Sequence, residues 1–458
     1  MTPAISRAVA LGAIAVGVLA ASCATWFPNK PPPSGFTCAD FPTLTPEPPR
    51  DVDVPDHPNL QCFAWQEFIA LNWPAAKGRA GEPDRTRGAS QFGRPNDSTP
   101  LVWETFKEAH EVFLPDAEPP RPWGESGLLR SLPAGFSTEL PAELGEQAEG
   151  FLALRMLSKA SPRAPRLERV RQAGSGAWLT SQPGRLTHYG IYMNRPAFQY
   201  IVDGALYDAG NQRGTQIDFP SGSSGATPAE GAMVLKSAWV ELPSRKLRHR
   251  FHTVEACIVE GERCRMALVG LVGLHIVHKT ETFPQWSWAT FEHVDNAPDH
   301  EEIRQGTVRR RYTYFDPTCP TGGADPRCVR NRRPTQPMTR PVQVVRETPI
   351  AETSRLLNDL VHREIRRANR SSVWQYYHLV DVQWPQAGER VSGVRNAPLP
   401  RGGMTPTSIA NAVIETYTQH DTCIDCHRYA SIAATAAGGG SAQASDYSFL
   451  LMLAQEPP

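Results

Sequence analysis

Apolar residues along the chain follow three regimes: helical spacing near the start, strand-like runs in the middle, and helical spacing again after about residue 350. From Cys62 to Asn72, a helix would put Trp65, Phe68, Ile69 and Asn72 on one face, and Pro74 ends the run. Leu101–Leu114 shows the same spacing, with Trp103, Phe106, His110 and Phe113 on one side and Glu104, Lys107, Glu108 and Glu111 off it. From roughly Gly184 to Tyr314 the signal changes. His188–Met193, Ala197–Val202 and Ser237–Leu242 are rich in β-branched and aromatic residues and are punctuated by Gly, Pro, Asn and Asp, which predicts strands. Met266–Val277, interrupted by Gly270 and Gly273, is too short to span a membrane and reads as one or two buried strands. Thr353–Ala368 returns to helix, with Leu356, Leu357, Leu360, Val361 and Ile365 as its stripe and Thr353 as a candidate cap. The fold class expected is therefore α+β: a β-rich middle region flanked by a helical N-terminal segment and a helical C-terminal segment.

The first residues change the picture. Arg7 precedes a short apolar run, Ala8–Ala21, that ends in Ala-Ala-Ser-Cys, the layout of a secretory signal. Small residues immediately before Cys23 form a lipobox-like cleavage site, so residues 1–22 are expected to be removed and Cys23 acylated. Such an anchor carries enough acyl chains for stable attachment, and Ala24 after it favours the outer membrane and a periplasm-facing body. Residues 23–58 are crowded with proline, including Pro31–Pro33 and Pro48–Pro49, and read as a tether. Residues 59–350 form the helical and β-rich body, and 351–458 the C-terminal segment. The 458-residue chain has 47 Lys plus Arg against 47 Asp plus Glu, which argues against a general polyanion binder; no nucleic-acid partner is expected.

Nine cysteines divide by context. With Cys23 assigned to lipid and two others to the motif below, six remain, and an oxidising compartment favours their pairing. Many pairings are open. Proximity suggests Cys38–Cys62, Cys257–Cys264 and Cys319–Cys328, whereas none of the six has the tight spacing favoured by structural zinc.

The most specific chemistry is Cys423-Ile-Asp-Cys426-His427, the Cys-x-x-Cys-His sequence of c-type haem attachment. One helical turn sets both thiols against the vinyl groups of the macrocycle, and the next residue, His427, meets the iron as proximal ligand. A thioredoxin-like pair or a disulfide would not require the adjacent histidine. The second axial ligand is open. Met452 is the methionine downstream of the motif, in an apolar segment that also reads as core; Met404, His420, a histidine of the β-rich region, or an empty position are the alternatives.

Two further clusters invite a functional reading. His275 and His278, with Glu292 and His293, suggest a metal site, but on a strand His275 and His278 face opposite ways. The bland reading makes Trp286, Trp288 and Phe291 core; the functional one brings one of these histidines to the haem or a substrate. Arg363, Arg366, Arg367 and Arg370 read as a solvated helix face that could also meet propionates or an acidic partner. No phosphate-binding loop, nucleophile elbow or dinucleotide fingerprint occurs in the sequence.

Several segments together resemble a family of exported bacterial cytochrome c family proteins: Cys62–Pro74, His275–Asn296, Gln383-Trp-Pro385, Glu415–Tyr417 before the motif and Asp446–Leu450 after it. The resemblance implies haem binding at Cys423, Cys426 and His427 and brings no defined activity and no distal ligand. The leading expectation is an envelope electron-transfer protein with a redox partner protein. The alternatives are a haem-dependent oxidoreductase with an open distal site and a haem-based ligand sensor. The sequence leaves the oligomeric state open.

Overall fold

The computed structural model describes residues 36–125, 152–155, 178–223, 228–260, 263–319, 325, 328–334, 341–385, 404–405, 408–433 and 443–458. The signal segment and Cys23 lie outside them. Phe36–Pro458 form one compact unit. Phe36 and Val52 are buried in the main core, so the second half of the Pro-rich stretch is part of the folded body. Cys38–Cys62 fastens it to the first helix. Cys319–Cys328 is also present. Cys257 is disulfide-bonded, but the side chain of Cys264 lies outside the described residues.

The helices are α1 (His57–Leu71), α2 (Ala109–Val112), α3 (Arg195–Asp203), α4 (Ala209–Gln212), α5 (His300–Arg304), α6 (Glu352–Ala368) and α7 (Cys423–His427). Among the described residues none is long and apolar enough to cross a membrane. The strands are β1 (Lys107–Glu108), β2 (Leu152–Arg155), β3 (Thr187–Met193), β4 (Met233–Glu241), β5 (Thr253–Glu260), β6 (Arg263–His278), β7 (Ser287–His293), β8 (Tyr377–Pro385) and β9 (Met404–Thr405). They join in the order β1-β3-β4-β6-β7-β8-β9, antiparallel throughout; β5 pairs with β6, and β2 lies parallel to β5. β6 is long enough to serve β5 with its first half and β7 with its second along one edge, while β4 runs along the other. The mostly antiparallel sheet with accompanying helices makes the fold α+β. From residue 351 on, the described helices are α6 and the five-residue α7, alongside β8 and β9.

Alternation assigns the two faces of the sheet. Leu235, Trp239, Leu274, Ile276, Ala289, Phe291, Leu379 and Val382 point to the back, into a core shared with Trp65 and Phe68 of α1 and Leu357, Val361 and Ile365 of α6. Val277 and Trp288 point to the front, where Phe198 and Ile201 of α3 and Ile424, Tyr447, Leu450 and Leu451 of the C-terminal region cover them.

Three sequence expectations are corrected. Leu101–Leu114 is not one helix: a 3-10 turn at Trp103–Thr105 runs into β1 and then α2. Glu108 starts α2 through a capping box with Glu111, and its extended backbone breaks the continuous helix that the spacing suggested. Ala197–Val202 is helical, not a strand. The Asn194 side chain caps α3, and Pro196 in its first turn fixes a helical start, which overrides the β-branched composition. Finally, α6 begins after Ala351 with no side-chain cap, and Thr353 instead accepts a hydrogen bond from the Gln61 amide at 3.0 Å. Met266–Val277 belongs to a single strand, β6.

Candidate haem-attachment site

The motif sits on a pinned helical turn against the front of the sheet. The Thr422 hydroxyl accepts from the Asp425 N–H at 3.0 Å, and the Asp425 carboxylate accepts from the Thr422 N–H at 3.0 Å. This reciprocal cap is what allows so short a segment to be helical. The Cys423 N–H donates to the side-chain carbonyl of Gln383 on β8 at 3.0 Å, and Ile424 is buried in the front core. Cys423 and Cys426 therefore lie one turn apart, half-buried and not joined in a disulfide. Burial, with Glu415 and Cys426 nearby, raises the Cys423 thiol well above its usual range and keeps it protonated.

His427 is oriented from three sides. Its Nδ1 donates to the carbonyl of Tyr447 at 2.8 Å, and its ring lies 4.5 Å from that of Trp288 and 5.0 Å from that of Phe449. A carbonyl only accepts, so Nδ1 carries the proton and Nε2 is the basic nitrogen, the tautomer a metal-ligating histidine needs.

The Tyr447 carbonyl is held in turn. Asp446 and Tyr447 both have left-handed backbones, with φ of 52° and 61°. The Trp286 indole donates to the Asp446 carbonyl at 3.0 Å; the Asp446 carboxylate accepts from Lys279 at 2.6 Å and from the Phe219 N–H at 2.9 Å. Lys279 also meets Asp218 at 2.5 Å. Burial pushes the Asp446 carboxyl up to about 6, against the lowering effect of Lys279. A strained turn persists where surrounding bonds over-determine it, and such turns cluster at functional sites.

Beside α7, the front face carries a polar group. Lys236 of β4 and His275 of β6 are register partners, and His275 lies 3.2 Å from Glu415. Tyr189 of β3 donates to the Val413 carbonyl at 2.8 Å and lies under the Lys236 ammonium, which is 5.6 Å from the ring centroid. Burial raises Glu415, but His275, Lys236 and the Asn411 N–H outweigh it and hold the carboxyl below its ordinary value.

The other expected clusters separate. His278 faces the back, fully buried, with Nδ1 at 2.6 Å from Glu67 and its ring stacked on Phe63, whereas His275 faces the front. His293 stacks on Phe251, and Glu292 accepts from Arg346 and from the Ala412 N–H. Among the described residues no group of three or more His, Cys, Asp and Glu could hold a bare metal ion, so His275, His278, Glu292 and His293 do not form a site together. Trp286, Trp288 and Phe291 are buried, as the bland reading has it. The exposed Arg363, Arg366, Arg367 and Arg370 lie on and just after α6, which packs on the back of the sheet, away from the motif. His420 is exposed and pairs with Glu347 at 3.0 Å. Met452 is half-buried in the 3-10 turn Leu450–Leu453; the side chain of Met404 lies outside the described residues.

The residues present fit a covalently held haem. Two thiols one turn apart and a histidine with its tautomer set by a carbonyl are the donor set that such a group takes from a chain. Sequence reasoning missed the support around it. Lys236, Glu415 and the Lys279–Asp446 pair come together from distant parts of the chain, with only the Asp446–Leu450 and Glu415–Tyr417 segments noticed and no role given. Comparison with protein-family models, curated proteins and solved structures finds no match for this chain.

Proposed function

We propose that the chain is a periplasm-facing c-type haem lipoprotein that exchanges electrons through one haem held by Cys423, Cys426 and His427. The observation that carries the reading is the His427–Tyr447 hydrogen bond on a capped turn that presents both thiols. Cys423 and Cys426 would hold the group through thioethers, each S–H adding across a vinyl double bond with its proton passing to carbon. No oxidant is needed. Bound in this way, the haem supplies an iron that cycles between ferrous and ferric. The chain orients the imidazole through Tyr447 and packs the Trp288 and Phe449 rings beside it. The signal-like residues 1–22 and the lipobox-like Cys23 support delivery to the envelope, where a redox partner protein would meet it.

A second reading, a haem-dependent oxidoreductase, is favoured by one observation: the ionisable group Lys236, His275 and Glu415 beside the motif. An electron carrier has little use for such groups, whereas a substrate pocket does.

The test is production with c-type maturation factors. Haem should remain bound after denaturation in the wild type and be lost in Cys423→Ala with Cys426→Ala; wild-type protein without bound haem refutes the proposal. Carbon monoxide added to the reduced protein then separates the two readings. An unchanged spectrum means a firm sixth ligand and a carrier, and Met452→Ala would check the methionine. A shifted spectrum means an open distal side and favours the oxidoreductase.

A further inference from the structure

We propose that Lys279 and Asp446 are positioning residues for the axial histidine: their buried ion pair holds the Tyr447 carbonyl against His427 Nδ1 and thereby sets the potential of the iron. The inference rests on haem attachment through Cys423, Cys426 and His427 and extends that reading to what tunes the site.

Lys279 is the first residue after β6, and its side chain is 1% exposed. The ammonium donates to Asp218 at 2.5 Å and to Asp446 at 2.6 Å, and it lies 5.9 Å from the centroid of the Trp286 ring. Its backbone is fixed as well. The Lys279 N–H donates to the Ala232 carbonyl at 3.0 Å, and Gly231 lies so close to the Lys279 carbonyl that a side chain there would collide with it. The cation is therefore a fixed point at the end of the strand.

Asp446 is tied to that point twice over. Its carboxylate accepts from Lys279 and from the Phe219 N–H, and its carbonyl accepts from the indole of Trp286, the ring beside the ammonium. Trp286, Asp446 and Tyr447 all have left-handed backbones, with φ of 66°, 52° and 61°. That conformation is costly for a side chain as large as tryptophan, and it persists only where neighbours enforce it. A buried ion pair adds little net stability, because desolvation offsets the attraction; what it supplies here is one geometry. The geometry belongs to the next carbonyl along, that of Tyr447, which accepts from His427 Nδ1 at 2.8 Å.

The bond from Nδ1 makes Nε2 more basic, and a more basic axial ligand favours ferric iron and lowers the potential. Releasing the Tyr447 carbonyl should therefore raise it. The sign separates positioning from charge acting at a distance. Through space, losing the Lys279 cation would lower the potential and losing the Asp446 anion would raise it. Positioning makes both losses raise it.

The test is a redox titration of the haem-loaded protein. Haem content is measured first, so a failure of attachment is seen apart from a failure of positioning. Lys279→Met and Asp446→Ala should both raise the midpoint potential, each by roughly tenfold in the ferric-to-ferrous ratio at fixed poise, about 59 mV. Shifts of opposite sign, or none, overturn the proposal. Asp446→Asn can accept the same N–H and tolerates a left-handed backbone, so it should stay near the wild type; a shift as large as that of Asp446→Ala overturns the proposal. His293→Gln, at the other end of β7 from Trp288, should leave the potential unchanged. An equal shift there would mean general loosening, and the proposal falls. Should Lys279→Met not fold, Lys279→Gln serves in its place. In haem-free protein, nitrogen NMR of the His427 ring should show the Nδ1–H tautomer in the wild type and a mixture of tautomers in Lys279→Met. A tautomer that the substitution leaves unchanged overturns the positioning role, whether or not haem attaches.

Discussion

Two buried histidines and a half-buried third should make this protein sensitive to mild acid. The His293 Nε2 donates to the Arg250 carbonyl at 3.1 Å, and its Nδ1 accepts from the Asp295 N–H at 3.1 Å. A second proton would have to sit on Nδ1, facing another N–H. Burial accordingly lowers the His293 pKa to about 3, and burial lowers His362 to about 4. His378, desolvated beside Arg346 and Arg355, falls to about 3. A depressed pKa means the folded state prefers the neutral ring. The stability it contributes is complete above the unfolded value near 6.5 and is lost as pH falls toward the folded value. Each ring then costs about 1.4 kcal/mol per pH unit, so the three together cost ~4 kcal/mol per unit between about pH 6.5 and 4. Asp446 works the other way. Its pKa is raised to about 6, so its protonation on acidification favours the fold and offsets ~1.4 kcal/mol per unit below about pH 6. Glu67 and Glu230, also raised by burial, act in the same sense as Asp446. The single-site difference is therefore the cleaner measurement. His293→Gln keeps an amide donor and removes the titration. Urea unfolding at a series of pH values should show a variant less stable at neutral pH, with the gap closing by ~1.4 kcal/mol per unit on acidification. A gap that is constant from about pH 6.5 to 4.5 would refute the argument.

Two other expectations follow from the core. Arg346→Met leaves Glu292, only 1% exposed, without its main cation and should destabilise by roughly 3–5 kcal/mol in urea unfolding, with much of the loss recovered by adding Glu292→Gln. Gly231→Ala would put a Cβ 1.9 Å from the Lys279 carbonyl oxygen, so the backbone pairing beside Lys279 must open; a melting temperature lower by several degrees is expected, from a cost of ~1–3 kcal/mol.

Parts of the fold were legible in the sequence wherever one periodicity dominated. The stripe of α1 is buried as expected, as are Leu357, Leu360, Val361 and Ile365 of α6, although Leu356 is exposed; His188–Met193 and Ser237–Glu241 are strands. Strand alternation also separated His275 from His278 correctly. Reading failed where a local start signal outranked composition: Asn194 and Pro196 make α3 helical, and Glu108 with Glu111 interrupts the Leu101–Leu114 pattern. At the candidate site the thiols and His427 announced themselves through spacing. Their support did not, because Lys279 and Asp446 are 167 residues apart, and Lys236 and His275 become neighbours only through the β4–β6 register. Such partnerships are tertiary and leave no mark in a local window.

The carbonyl that orients His427 belongs to Tyr447, twenty residues further along the chain. The ring can therefore adopt its final setting only after the last stretch of polypeptide has folded back, with Gln455 bridged to Asp208 and Trp286 closed over Asp446. On the reading proposed above, this sets a condition on maturation: the imidazole reaches its ligating setting only once the tail has closed, like the final stitch of a seam. A protein cut short before Tyr447 would keep Cys423, Cys426 and His427, but the imidazole would lack the acceptor that fixes its tautomer.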